Sequence, residues 1–166
     1  MAKDSFFIRA DLTTTNGTFT EEAISLGSYV DALGKSVLRI HNAQLQFTSN
    51  GAPHSPPLYN TGTNATIAWQ LTTQSQTAVV FASDRAVVSS GMYGTAASQG
   101  GGDISHESMG VNLQHWTNGY LVGVEEIYLG GEQQGMVTDS RVSIVLECTV
   151  ETLSQSAAMA LALSQQ

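Results

Sequence analysis

Arg141-Val142-Ser143-Ile144-Val145-Leu146-Glu147-Cys148-Thr149-Val150-Glu151 alternates with period two. Val142, Ile144, Leu146, Cys148 and Val150 share one side, and Arg141, Ser143, Glu147, Thr149 and Glu151 share the other. Only Val145 breaks the pattern. A run of this length without Gly or Pro, rich in β-branched residues, reads as a strand with one dry face and one wet or partner-facing face. Both faces are well defined over eleven positions, which places the strand centrally in a sheet.

Working outward, the 166 residues suit a single domain, residues 1–166, able to bury a substantial core. Six Lys and Arg against 14 Asp and Glu give a net charge of −8, yet charged residues are only 12% of the chain, about half the usual share. The polar surface is therefore built mainly from hydroxyls and amides, which cost less to desolvate than ions and suit extensive contact with neighbours. One cysteine excludes an internal disulfide framework, and its position on the apolar side of the Arg141 to Glu151 strand makes it a buried thiol. No apolar run approaches the roughly 18 residues of a bilayer span, and Met1 to Leu12 lacks the apolar core of a signal peptide. The expectation is a soluble chain made inside a cell and not secreted. Asn16-Gly17-Thr18 and Asn64-Ala65-Thr66 match a glycosylation pattern but then read as ordinary turns.

Ser5 to Leu12 reads as a first strand, closed by the turn signal Asn16-Gly17. In the next segment Ile24, Leu26, Ser28 and Val30 share one extended face, preceded by a solvated Glu21-Glu22 pair. Lys35 to Phe47 is a long strand whose phase changes midway: Leu38 and Ile40 are apolar before His41-Asn42, and Ala43, Leu45 and Phe47 after it. A β-bulge near His41 is the economical explanation. Ser49 to Thr63, with Pro53, Pro56 and Pro57, is a long surface loop. Ile67, Trp69 and Leu71 alternate inward. Ala78 to Ser83 is a continuous apolar run that reads as a buried strand, and Ala86 to Ser89 as another. Gly91 to Gly110 reads as an excursion with little core of its own. Gly100-Gly101-Gly102 within it is no phosphate cradle, because no Lys-Ser/Thr follows. Val111 to Trp116 is a short strand ending at the turn Thr117-Asn118-Gly119. Tyr120 to Leu129 follows as a strand with a bulge or a twist across two layers, and is the natural antiparallel neighbour of the Arg141 to Glu151 strand. Gly130-Gly131 and Gly135 break the chain. Ser154 then opens the one convincing helix, about residues 154–164, rich in alanine, with Met159, Leu161 and Leu163 giving it an apolar surface.

Strands separated by turn signals without intervening helices mean an all-β fold: an antiparallel β-sandwich of jelly-roll type with one short C-terminal helix. The same double-sheet fold serves cupin-like metal enzymes, but His41, His54, His106 and His115 stand alone, without their His-x-His pattern. Asp103 with His106 and Glu107 is a polar loop cluster, and Glu125, Glu126 and Asp139 are potential cation ligands that read more simply as solvated turns. No Gly-x-Ser-x-Gly elbow is present. No residue is therefore assigned a catalytic, cofactor or metal role. Trp116, beside a turn, is the aromatic best placed to serve a carbohydrate-binding module. Lys3, Arg9, Lys35, Arg39, Arg85 and Arg141 form no cluster in sequence, so strong nucleic-acid binding by the isolated chain is not expected. Lys35 and Arg39 together make one small basic spot.

Leu26-Gly27-Ser28-Tyr29-Val30, Val37-Leu38-Arg39-Ile40-His41-Asn42, and the ending from Val145-Leu146-Glu147-Cys148 into Ala158-Met159-Ala160-Leu161-Ala162-Leu163-Ser164-Gln165-Gln166 resemble, in overall layout across most of the chain, the single jelly-roll coat proteins of small icosahedral viruses. The likeness is strongest to those of small DNA viruses known mainly from environmental sequencing. The resemblance implies a capsid protein of the virion that binds copies of itself into an icosahedral shell. Leu153, Met159, Leu161 and Leu163 are then the subunit-interface candidates, and Lys35 and Arg39 the residues facing the nucleic acid. One departure stands out: many such proteins begin with an Arg-rich arm, and this chain begins Met1-Ala2-Lys3-Asp4. An acidic subunit repels a genome, so it would hold one only weakly or indirectly.

Overall fold

The structure is a computed structural model that describes residues 4–31, 35–59, 63–97, 104–107 and 113–166. The described residues form nine strands and one helix: β1 (Phe6–Thr14), β2 (Thr20–Ser25), β3 (Ser36–Ser49), β4 (Ala65–Thr72), β5 (Val87–Ala97), β6 (Ile104–Glu107), β7 (Leu113–Val122), β8 (Glu126–Gln134), β9 (Ser140–Thr152) and α1 (Gln155–Ser164). The strands make two antiparallel sheets, ordered β1-β9-β3-β7 and β2-β8-β4-β5-β6. β1 pairs with β9, β2 with β8, β3 with β7, and β4 with β5 at the turning end. Successive rungs of this folded ribbon lie in alternate sheets, which is the wiring of a jelly roll.

β9 lies inside its sheet, between β1 and β3. Val142, Ile144, Leu146 and Cys148 are buried and meet Ile67, Trp69, Leu71, Ile127 and Leu129 of the facing sheet in one core. Val150 keeps the inner register opposite Leu38 but stands 37% exposed where the cover runs out.

The phase change in β3 is a bulge. Ile40 faces Cys148 and Asn42 faces Glu147, which leaves His41 as the extra residue. On the other side Ile40 faces Tyr120 and Asn42 faces His115, so Trp116 to Gly119 loop out opposite His41. Thr117-Asn118-Gly119 is therefore an excursion within one strand, β7, and not a turn between two strands. Gly119 adopts φ +70°, and a Cβ there would lie 2.6 Å from Arg39 Cγ.

Several other expectations are corrected. Tyr120 to Leu129 is two strands in different layers, β7 ending at Val122 and β8 starting at Glu126, and β8 does not neighbour β9. Gly130 and Gly131 lie within β8, where Phe19, Thr14 and Leu12 leave no room for a Cβ. The extended face ends at Ser25: residues 27–29 turn, Tyr29 and Val30 donate to the Leu26 carbonyl, and Ser28 is exposed while Leu26 and Val30 remain buried. Gly91 to Ala97 continues β5, and Ile104 to Glu107 forms β6. Asp103, the Gly100 to Gly102 run and the side chains of His106 and Glu107 lie outside the described residues.

Two polar knots close the wide turns. Gln133 Oε1 accepts from Thr14 Oγ1 at 2.9 Å and from the Ser140 amide at 3.1 Å, while its Nε2 donates to Thr138 O at 3.0 Å. Asn16 pairs through its amide with both backbone groups of Met136, which uses the side chain of the first Asn-x-Thr sequence as a turn anchor. Together they tie the β1 to β2 turn to the β8 to β9 connection and satisfy groups that would otherwise be buried unpaired.

Candidate assembly surfaces

The largest departure from the sequence pattern is Ala78 to Ser83. It is not a buried strand: it lies in the loop between β4 and β5, with Val79 exposed and Phe81 88% exposed. Its backbone is nevertheless fixed. Gln70, fully buried on β4, donates from Nε2 to Ala78 O at 3.1 Å and accepts from the Val80 amide at 2.8 Å. One side chain thus holds both backbone groups flanking Val79, as a neighbouring strand would. Glu21 secures the start of the same loop, accepting from Ser75 Oγ at 2.6 Å and the Gln76 amide at 2.8 Å, so it is not merely solvated. Beside Phe81 the outer face of β4 and β5 forms an apolar groove of about 300 Å³ that includes Ala68, Gly91 and the exposed Met92.

α1 starts at Ser154, whose hydroxyl accepts from the Ala157 amide at 3.3 Å. Ala158 and Ala162 face the sandwich, and Leu161 packs against Gly123 at the crossing from β7 to β8. Gln165, itself buried, accepts from the Gly123 amide and donates to Leu121 O, both at 2.8 Å. Of the interface candidates, Leu153 and Leu161 are half-buried within the subunit, while Met159 and Leu163 are exposed at 44% and 68%. The end of the helix also touches the β4 to β5 loop, through Gln74 to Gln165 O and Arg85 to Gln166 O.

The cations are largely engaged within the subunit. Arg39 Nη2 bonds Glu151 at 2.7 Å and its Nη1 bonds the Asn118 carbonyl. The hydrogen bond to Glu151 raises its pKa further. Arg141 pairs with Asp11, and Arg9 rests over the Phe7 ring at 5.5 Å. Lys35, just before β3, is exposed, with its carbonyl accepting from the Leu153 amide.

No family model and no curated protein matches the chain. A solved structure of Desmodium yellow mottle tymovirus is similar to it over 92% of this chain and 90% of that one, at 9% identity and a TM-score of 0.32. A likeness this loose carries no argument.

The remaining candidates are dispersed. Among the described residues no three His, Cys, Asp or Glu side chains converge as metal ligands. Glu126 opens β8 and Asp139 follows its far end, roughly 25 Å away along a strand. Glu126 accepts from the Tyr128 hydroxyl at 2.9 Å, which raises the pKa of that phenol. His41 sits in the bulge against Thr149 Oγ1 at 3.0 Å. Trp116 is half-buried and tilts against Tyr120, 6.1 Å between ring centres, so its faces are not a free platform. The absence of a helix long and apolar enough to cross a membrane holds for the described residues.

Proposed function

We propose that the protein is a structural coat subunit whose copies assemble into a closed icosahedral shell around a viral genome, and that it carries out no turnover. The observation behind the reading is Phe81, an aromatic side chain left bare on a loop that Gln70 and Glu21 hold in place. A floppy apolar loop would be unremarkable. A fixed one has already met its ordering cost, so covering it returns most of the roughly 1.5–3 kcal/mol that burial of a large apolar side chain is worth. Met159 and Leu163 on α1 offer a second such patch. Repeated around a shell, contacts that are weak singly become sufficient together.

The virion is the place where such a subunit acts, and the resemblance to coat proteins of small DNA viruses supports that assignment. The subunit holds its genome weakly or indirectly. Arg39 is shared with Glu151, which leaves exposed Lys35 as the stronger contributor to an inward basic spot, with counterions or another component supplying the rest.

Electron microscopy and sedimentation of the purified full chain test the reading. Closed particles of uniform diameter are expected. A protein that stays monomeric or dimeric at every concentration would overturn it.

A further inference from the structure

We infer that β1 is a self-pairing edge, at which two copies of the chain join β1 to β1, antiparallel, about a twofold axis through Ala10. The inference deepens the coat-subunit reading, on which it rests for its place in a shell, by naming one contact between subunits. Among the described residues β1 pairs as a strand only with β9, although its Thr13 carbonyl also accepts from Thr20 Oγ1 at 2.9 Å, and it borders its sheet next to β2, the edge of the other sheet. The cover is incomplete there. Ile8 and Ala10 are half-buried although their partners Leu146 and Ile144 are buried, and a groove of about 540 Å³ runs between the two edge strands.

Strands that end a sheet usually resist pairing by carrying charge. Here the charges select a partner instead. Phe7-Ile8-Arg9-Ala10-Asp11-Leu12-Thr13 is balanced about its centre. With Ala10 opposite Ala10 of the partner subunit, Arg9 faces Asp11 of the partner subunit, and Asp11 faces Arg9 of the partner subunit. On the inner side Ile8 meets Leu12 of the partner subunit, so the apolar face continues across the seam. Phe7, 52% exposed, meets Thr13 of the partner subunit.

Neighbouring registers fail. Centring on Arg9 or on Asp11 sets like charges against each other, as does parallel in-register pairing, and a one-residue slip turns the core face toward solvent. Asp11 already holds Arg141, but a carboxylate has about four acceptor positions and can serve both cations. A twofold contact of this kind is isologous, so it closes on two copies and leaves neither β1 edge free.

Two experiments on the full chain test the contact. Residues directly opposite in an antiparallel pair have Cα atoms about 4.5–5.5 Å apart, within disulfide reach. Ala10→Cys should therefore give a covalent dimer under mild oxidation, while Thr13→Cys, whose counterparts would lie about 20 Å apart, should not. Native Cys148 is buried and does not interfere. Separately, Arg9→Asp and Asp11→Arg should each weaken dimerisation about tenfold, and an equimolar mixture of the two should recover it, because both charge pairs across the seam are then opposite in sign. Failure of Ala10→Cys to crosslink, equal crosslinking at Thr13→Cys, or no recovery in the mixture would overturn the inference. Particles that form without the Ala10→Cys crosslink would remove this contact and leave the shell standing. A crosslinked dimer that never grows would do the reverse.

Discussion

Cys148 shows how far a single position can be argued. Burial on the inner face of β9 pushes its thiol up to about 12, with Glu147 adding to the shift. The unfolded thiol loses its proton near 9 and the folded one keeps it. Its stabilising effect is therefore intact below pH 9 and lost as the pH rises toward 12, because only the unfolded chain gains by ionising. Alkaline melting curves should fall more steeply for the wild type than for Cys148→Ala. At neutral pH a thiol reagent should label Cys148 only at the rate of unfolding. The period of β9 already made this residue legible. Gly119 was not, since Asn-Gly reads the same in a hairpin turn and in a bulge. Arg39 and Ile40 of the neighbouring strand decide the outcome, by closing on the space a side chain would need. Gly119→Ala should cost about 1–3 kcal/mol, measured by chemical denaturation, from the left-handed backbone and the displaced Arg39.

At the scale of elements, alternation located β4, β9 and both halves of β3, because each has one buried face, and a phase slip in the pattern marked the His41 bulge. Ala78 to Ser83 defeated the same reasoning. Five apolar residues before a serine look like a buried strand, and what decides against it is Gln70, whose place between the inward Trp69 and Leu71 gives no hint that its amide takes over the backbone bonding of the loop that follows. Gly130 and Gly131 misled for a related reason: a pair that usually breaks a strand is needed inside β8 so that Phe19 and Leu12 can approach. Gln70→Ala tests the clamp. It should free the loop, seen as faster proteolytic cleavage between Gln76 and Arg85, and lower stability by about 1–3 kcal/mol through lost and unsatisfied hydrogen bonds. Phe81→Asp should leave melting unchanged and abolish particles. If Gln70→Ala left the loop as protease-resistant as the wild type, the clamp would not be what fixes it.

For the whole molecule, composition and turn spacing were enough to reach a β-sandwich, but the partners of β9 were misassigned because pairing at this range depends on how the ribbon rolls. Only long-range hydrogen bonding separates β8, in the opposite layer, from β1 and β3. The same limit applies to the C-terminal helix. Its apolar side chains pointed to assembly, yet nothing in the sequence indicated that Gln165 would fasten it to Gly123 and Leu121. That fastening changes the right experiment. Deleting Ser154 to Gln166 would strip hydrogen bonds from the buried Gly123 amide and the half-buried Leu121 carbonyl and uncover the surface beneath Ala158 and Ala162, so lost assembly would be confounded with lost stability. Met159→Asp combined with Leu163→Asp avoids the difficulty, since both side chains point into solvent while Gln165 stays in place. Melting should stay within about 2 °C of the wild type, as for other exposed substitutions, and sedimentation should show the particle peak replaced by small species. A particle peak unchanged in size and yield would mean that α1 closes the sandwich of its own subunit and makes no contact with another.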